Sequence, residues 1–403
     1  MRGNHAAWAL LNARLIDGNP GGYAGHGGVL IVDGRIAASG PDVGPDSVGD
    51  VRRVDAGNRT VVPGLVDCHV HLTWSAQAAP VATLIEERDS AAILALRAAA
   101  NAQSALERGT TTLRDLGSPN EAIFALRDSI ARGVVRGPRL LAAGYVITTP
   151  SGHCHYVGRH ATDAESARRM AMDQIDAGAD VIKVMTSGGL HTPGSDPGTP
   201  QFSVEALRAI ADAAHAAGRR VTGHATCDAA IARAVDAGFD SIQHGTSLTP
   251  ETGRALSRSG VGVTPTLDTR YFLDLHLDDP AIPEVIRSRA RASAGPARME
   301  AFRHALEAGV VLTAGTDSGT TFVPHGALAT EIRLMHEAGV PIRDALAAGT
   351  WMAARELGLD GAVGTLAPGA AADLLVLNGD PLRDVSALEE VAMVVLSGCE
   401  ITD

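Results

Sequence analysis

The chain has 403 residues, a formal net charge of −12, 45% hydrophobic residues and only 3% aromatics. An acidic, aromatic-poor chain lacks the basic footprint and stacking platforms of a nucleic-acid binder, and its sequence holds no apolar run long enough to suggest a membrane span. Cys68, Cys154, Cys227 and Cys399 stand far apart without a CxxC, which argues against a thiolate zinc site or a disulfide scaffold and fits a reducing cytoplasm.

Near the start, a short apolar patch is interrupted by Asn12 and Arg14, and no small-residue cleavage site follows, so no secretory signal is expected. Residues 1–62 read as short strands. ALLNARLIDG and GVLIVDGRIAASG alternate apolar and polar positions, Asp33–Gly34 is a hairpin signal, and RTVVPG adds a further strand. The pattern then changes to strand and helix in turn. Eight strand candidates follow: LVDCHVHL, TTLRDLG, RLLAAGYVI, VIKVMTS, RRVTGHA, SIQHG, VGVTPTL and VVLTAGTD. Between them run Ala-rich segments of helical period, such as VEALRAIADAAHAAGRR, many closed by Gly. This rhythm predicts an α/β fold, a (β/α)8 TIM barrel over residues 63–358. An open doubly wound sheet would call for a GxGxxG after a first strand, and none is present. Long polar connections at Thr73–Asp89, Ser187–Ser203 and Leu267–Pro283 would lie at the C-terminal face, where barrels build active sites. The tail returns to strands, AADLLVLNGDP and VAMVVLSGCEITD, with a turn at Ser397–Gly398. Segments 1–62 and 359–403 are each too short to bury a core, so they are expected to pack together as one small β-sandwich domain.

Of the fifteen histidines, His5, His26, His215, His276, His304 and His336 have no partner pattern and read as surface or packing residues. His69 and His71 differ: their i, i+2 spacing near the end of the first barrel strand puts both imidazoles on one side. His224 and His244 end the fifth and sixth strands, and Asp317 ends the eighth. Lys183, in the fourth, is the only lysine in a sequence with 34 lysines and arginines. Arginine cannot be deprotonated in a protein and lysine can, so a lone lysine in an apolar strand is a candidate for amine chemistry. Four histidines and a carboxylate suit a divalent metal such as zinc. A neutral lysine amine adds CO2 to give a carbamate, whose two oxygens can bridge two metals roughly 3.5–4 Å apart around a nucleophilic hydroxide. Asp317 would take the proton of that hydroxide and pass it to the leaving amine.

These residues resemble the amidohydrolase superfamily, in its imidazolonepropionase-like and Xaa-Pro dipeptidase-like branch. VVPGLVDCHVHL is similar to the first-strand motif PGxxDxHxH. IKVMTSGG is similar to the carboxylated-lysine strand, GHA, QHG and AGTD to the later metal motifs, and GTLAPGAAADLLVL to the tail. The resemblance implies a hydrolase of carbon–nitrogen bonds with small-molecule substrates, in which His69 and His71 bind the more buried metal and His224 and His244 the more exposed one. It implies that carboxylated Lys183 bridges the two, and that Asp317 ligates the first metal and acts as general acid and base. Dipeptides and N-acyl amino acids are the implied substrates, with cyclic amides or lactones as the alternative. A non-catalytic scaffold would have lost ligands, and none is lost. Assembly into oligomers is common in the superfamily. Two departures stand out. Dipeptidase members often carry Tyr two residues after the fifth-strand histidine to help hold the substrate, where this chain has Thr226. Gln243 precedes His244 where Glu is common.

Position suggests further contacts. His153 would touch substrate or order the third-strand loop, and Tyr156 would polarise a carbonyl or pack. Arg114 would meet a substrate carboxylate or pair with Asp115. His325 would reach substrate from the eighth-strand loop, while His191 would contact substrate or be solvated.

Overall fold

The computed structural model describes residues 7–80, 89–292 and 296–401. Strands from both ends of the chain share one eight-stranded sheet. β1 (Trp8–Ile16), β2 (Ala24–Val32) and β3 (Arg35–Gly40) run antiparallel, while β4 (Arg52–Asp55) and β5 (Thr60–Pro63) pair in parallel with β1. From the far end, β15 (Leu374–Leu377) joins β5, followed by β16 (Val391–Leu396) and β17 (Cys399–Ile401). Both expected hairpins turn through paired left-handed residues, Asp33 and Gly34 (φ 50° and 75°) and Ser397 and Gly398 (47° and 76°), as a type I′ turn requires. In β1 a bulge at Asn12 switches the phase of the inward residues, so that Trp8 and Leu10, then Ala13 and Leu15, face one core. Trp8 Nε1 donates to the Gly398 carbonyl at 2.8 Å and ties the first strand to the last turn.

The remaining strands are parallel. β6 (Leu65–Val70), β7 (Thr110–Asp115) and β8 (Arg139–Ala142) form one sheet. A second contains β9 (Val146–Thr148), β10 (Gly158–His160), β11 (Val181–Met185), β12 (Arg220–Ala225), β13 (Ser241–His244) and β14 (Gly262–Thr264), in the order β10-β9-β11-β12-β13-β14. Helices alternate with these strands and bury one face against them. The helix Val204–Ala216 is capped by the Ser203 hydroxyl and buries Ala206, Leu207, Ile210, Ala211 and Ala214. Its Leu and Ile each stabilise by about 1.5–3 kcal/mol in a core that also holds Ile182, Val221 and Ile242.

Three expectations are corrected here. RLLAAGYVI splits into β8 and β9, because Gly144 takes φ 71° between them. VGVTPTL is strand only over Gly262–Thr264, and Leu267–Leu275 is helix, so Leu267–Pro283 is not a plain polar loop. VVLTAGTD and the Ser318 that follows it form isolated parallel bridges, Leu312 with Val263 and Ser318 with Val70, in place of a full strand. The chain leaves the extended conformation there at Asp317, φ 56°. Ser187–Ser203 is a loop drawn together by a Ser187–Pro200 bridge. The Thr73–Asp89 connection runs partly outside the described residues. Among the described residues no helix is long and apolar enough to cross a membrane.

Candidate metal centre

The C-terminal ends of the parallel strands converge on one group of side chains. Asp67 and His69 share a side of β6, and His71 follows just past its end. The buried Asp67 carboxylate accepts from His69 N at 3.0 Å, Thr316 N at 3.1 Å and Thr316 Oγ1 at 2.8 Å. It thereby locks β6 to the segment that carries Asp317. Asp317 Oδ1 comes to lie 3.3 Å from His69 Nε2 and 3.0 Å from His71 Nε2. One donor atom from each of these three buried residues falls within 4.8 Å of the others.

The other predicted ligands surround this trio. The His244 ring lies 5.2 Å from that of His69 and 4.6 Å from that of His224. Register pairs Met185 with His224, and Ala225 with His244, so the two histidines come from adjacent strand ends. Lys183 is 1% exposed and its Nζ has no hydrogen-bond partner among the described residues.

The donor set fits divalent cations. A carbonyl oxygen only accepts, so the Gly117 carbonyl, 3.1 Å from His71 Nδ1, fixes a proton on that nitrogen. The 3.0 Å between Nε2 and the Asp317 carboxylate then accommodates either a proton on Nε2 or, in its place, a cation that both groups ligate. The same logic fixes His224, whose Nε2 is 3.1 Å from the Gly188 carbonyl. His244 Nδ1 meets the Thr266 hydroxyl at 2.8 Å. Such outer partners orient metal-binding imidazoles and set their tautomers.

Burial dominates the electrostatics. It drives the rings of His69, His153, His224 and His244 well below the usual imidazole range, so they are neutral and able to ligate. Burial also brings the Lys183 ammonium down to about 7, against the pull of Asp317, which leaves much of it as free amine near neutrality. Burial opposes ionisation of Asp317, but the hydrogen bond and charge of His71 and the charge of Lys183 outweigh it, and its carboxyl titrates below the ordinary range. Asp67 moves the other way, raised by burial to about 7.

A cavity of about 520 Å³ opens over these residues. His153 lines it, with its ring 4.4 Å from His224 and Nδ1 2.9 Å from Thr192 Oγ1. His191 lines it too, 3.4 Å from Thr321 Oγ1. Three expected substrate contacts do not reach its wall. Arg114 is 1% exposed, gives Nε to the Cys68 carbonyl at 2.8 Å and pairs with Glu356 at 3.3 Å, while Asp115 instead holds Leu72 N, Gly117 N and Ser118 Oγ. Tyr156 turns its hydroxyl to Cys154 Sγ. His325 sits behind Trp74, bound to Ser318 Oγ at 3.2 Å and to the Trp74 carbonyl at 3.4 Å.

The sequence profile of the Amidohydrolase family matches residues 60–401. The chain belongs to the amidohydrolase family. It is similar to a solved Xaa-Pro dipeptidase with methionine bound in its active site, at 29% identity and a TM-score of 0.90, over 99% of this chain and 100% of that one. It is also 28% identical to ochratoxinase from Aspergillus niger over 82% of this chain and 72% of the relative. Its identity to imidazolonepropionase from Deinococcus radiodurans is 27%, over 93% of this chain and 91% of the relative. This amidohydrolase is a hydrolase acting on carbon–nitrogen bonds.

Several residues of its site escaped sequence reasoning. Trp74 stacks on His71 with ring centroids 4.6 Å apart and forms part of the cavity wall. Asp67 lies within the DxHxH motif, two residues before His69, and that spacing was the signal for its shared side. Thr266, which holds His244, and Arg289 and Arg298, which line the cavity, lie beyond any motif.

Proposed function

We propose that this amidohydrolase is binuclear and cleaves the amide bond of a small molecule such as a dipeptide or an N-acyl amino acid. One observation supports this most: donor atoms of His69, His71 and Asp317 lie within 4.8 Å, beside buried His224, half-buried His244 and the buried amine of Lys183, which has no hydrogen-bond partner among the described residues. In this reading His69, His71 and Asp317 would hold one ion, His224 and His244 would hold the second, and Lys183, once carboxylated by CO2, would supply oxygens to both. Zinc suits this nitrogen and oxygen donor set. When bound, the ions polarise the substrate carbonyl and lower the pKa of water to about 7. Asp317 accepts the proton of the attacking water on its carboxylate and returns it to the departing nitrogen. His153, anchored by Thr192 beside His224, contacts the substrate from the cavity wall.

The architecture proposed around the site is a (β/α)8 barrel over 63–358 with a small β-sandwich domain from 1–62 and 359–403. Its supports are the bonds of the 311–318 segment to both β14 and β6, and the bond from Asp180 N to the Ala142 carbonyl, which links the two parallel sheets at 2.9 Å. Four free cysteines support a reducing compartment, the cytoplasm.

Thr226 favours a second reading, opening of a cyclic amide or lactone. Its Oγ1 is engaged with Ser187 Oγ at 2.8 Å and the Pro197 carbonyl at 2.7 Å. It leaves no hydroxyl for a dipeptide where dipeptidase members often carry Tyr. A mass-spectrometric hydrolysis screen of metal-loaded protein tests both readings, with dipeptides, N-acyl amino acids, lactams and lactones as substrates and Lys183→Ala as the blank. Cleavage of linear amides with two ions bound per chain is expected. Cleavage of rings alone favours the second reading, and silence together with loss of metal on dialysis refutes both.

A further inference from the structure

The metal chemistry leaves the cationic side of the cavity unexplained. Among the described residues three arginines line it: Arg270, Arg289 and Arg298. Arg270 is paired with Asp274 at 2.7 Å. The other two are held differently. Arg298, on the helix Pro296–Glu307, gives Nη2 to the Pro265 carbonyl at 2.9 Å and to Thr269 Oγ1 at 3.1 Å. The same Nη2 is 3.4 Å from Thr266 Oγ1, the hydroxyl that meets His244 Nδ1. A single hydroxyl therefore separates this guanidinium from a candidate ligand ring. Among the described residues its Nε is buried without a partner, and Nη1 has none either. Arg289, on the helix Glu284–Ala292, is pinned through Nη1 to the carbonyls of Leu190 at 3.0 Å, Thr192 at 3.2 Å and Gly189 at 3.3 Å.

Neither Arg289 nor Arg298 has a carboxylate within 4.0 Å among the described residues. The nearest acidic pair behind Arg298 is Asp268 and Glu331. Both are fully buried, the Asp268 backbone N–H occupies Glu331 Oε2 at 2.8 Å, and both attract Arg298 from behind without touching it, so its cavity side has no direct counter-ion among the described residues. Two guanidinium groups are thus fixed by neutral oxygens at the wall of a cavity, with donors left over. Partial desolvation of an unpaired cation is costly, and a counter-ion inside the cavity offsets that cost. The fork of a guanidinium matches a carboxylate in particular. Arg114 cannot fill this role, since Glu356 already occupies it.

We propose that Arg298, assisted by Arg289, is the anion subsite of the cavity and binds a carboxylate carried by the substrate. The assignment rests on reading this cavity as the substrate site of an amidohydrolase, and it narrows the substrate to an amide that bears a free carboxylate. Leu190 and Leu273, also at the wall, suit an apolar side chain beside that carboxylate.

The test is calorimetric binding of two probes, N-acetyl-L-leucine and N-acetyl-L-leucinamide, to the full chain freed of metal by chelation. The acid should bind at least tenfold more tightly than the amide. Arg298→Gln should close that gap, and Arg298→Lys should restore part of it, since lysine keeps the charge and loses the fork. Equal affinities in the wild type, including no measurable binding of either probe, overturn the proposal without any variant. So does a gap that survives in the Arg289→Gln/Arg298→Gln double variant. Metal-loaded protein that cleaves no amide yet keeps the gap refutes the catalytic reading and supports the subsite. Active protein with no gap does the reverse.

Discussion

Asp67 is buried behind the cavity wall, yet the geometry of the centre depends on it. Its Oδ1 accepts from His69 N and Thr316 N, and its Oδ2 accepts from the Thr316 hydroxyl. Asp67→Ala strands two N–H groups and frees a hydroxyl in a region sealed from water. Each unmet buried donor costs about 1–3 kcal/mol, and the Thr316 hydroxyl can turn toward the His69 carbonyl, so the expected loss is about 2–6 kcal/mol. Asp67→Asn keeps Oδ1 and both N–H bonds and should lose only about 1 kcal/mol, the net value of one hydrogen bond. Urea unfolding followed by tryptophan fluorescence measures the difference, and elemental analysis after dialysis measures retained metal. The Ala variant should also lose metal, because Asp317 is no longer held against His69 and His71. An Ala variant with the wild-type unfolding midpoint and metal content would refute the role given to this carboxylate.

Two substitutions address the chemistry itself. Lys183→Arg should fold, because the Asp317 carboxylate offsets the guanidinium charge, but it should bind fewer than two ions and lose activity, as arginine cannot form the carbamate. Full turnover in that variant excludes a carbamate bridge. Asp317→Asn should retain the fold and lower kcat by ~100-fold or more, the range typical of general acid–base loss. Near-normal kcat would move the proton role to another group.

The strand-end residues were legible because two regularities act together. Alternation along a strand assigns a side, and parallel pairing brings equivalent ends to one face. His69, His224, His244 and Asp317 followed from that, and Lys183 from being the only lysine. Arg114 shows where the reasoning stops. A polar residue near a strand end can turn toward the cavity or away from it, and its partner Glu356 lies 242 residues further along the chain. Pairing at that separation leaves no local pattern. Arg289 and Arg298 were hidden for another reason. They sit on helices rich in arginine, Glu284–Ala292 and Pro296–Glu307, and only the tertiary fold singles out which of those arginines face the cavity. The eighth strand candidate was recognised as a segment but not in its form, since its bridges are isolated and the turn at Asp317 breaks the pairing.

That turn is one of three. His244 (φ 74°), Thr266 (φ 49°) and Asp317 (φ 56°) each leave a parallel segment through a left-handed conformation that costs a non-glycine residue about 1–2 kcal/mol. All three take part in the site, through the His244–Thr266–Arg298 chain and the Asp317 contacts with His69 and His71. Strain that concentrates at the groups which meet a ligand is tolerated because the surrounding bonds over-determine it. Thr266 separates the two contributions. Thr266→Gly relieves the backbone by about 1 kcal/mol, which limits the stability lost with the side chain. It also leaves His244 Nδ1 and Arg298 Nη2 without their shared hydroxyl. The variant should therefore keep an unfolding midpoint near that of the wild type while losing, on dialysis, the second ion proposed at His224 and His244. Thr266→Ser, which retains the hydroxyl, should keep that ion. If the glycine variant holds both ions as firmly as the wild type, the strained residue orients nothing, and the strain at Thr266 has no functional counterpart.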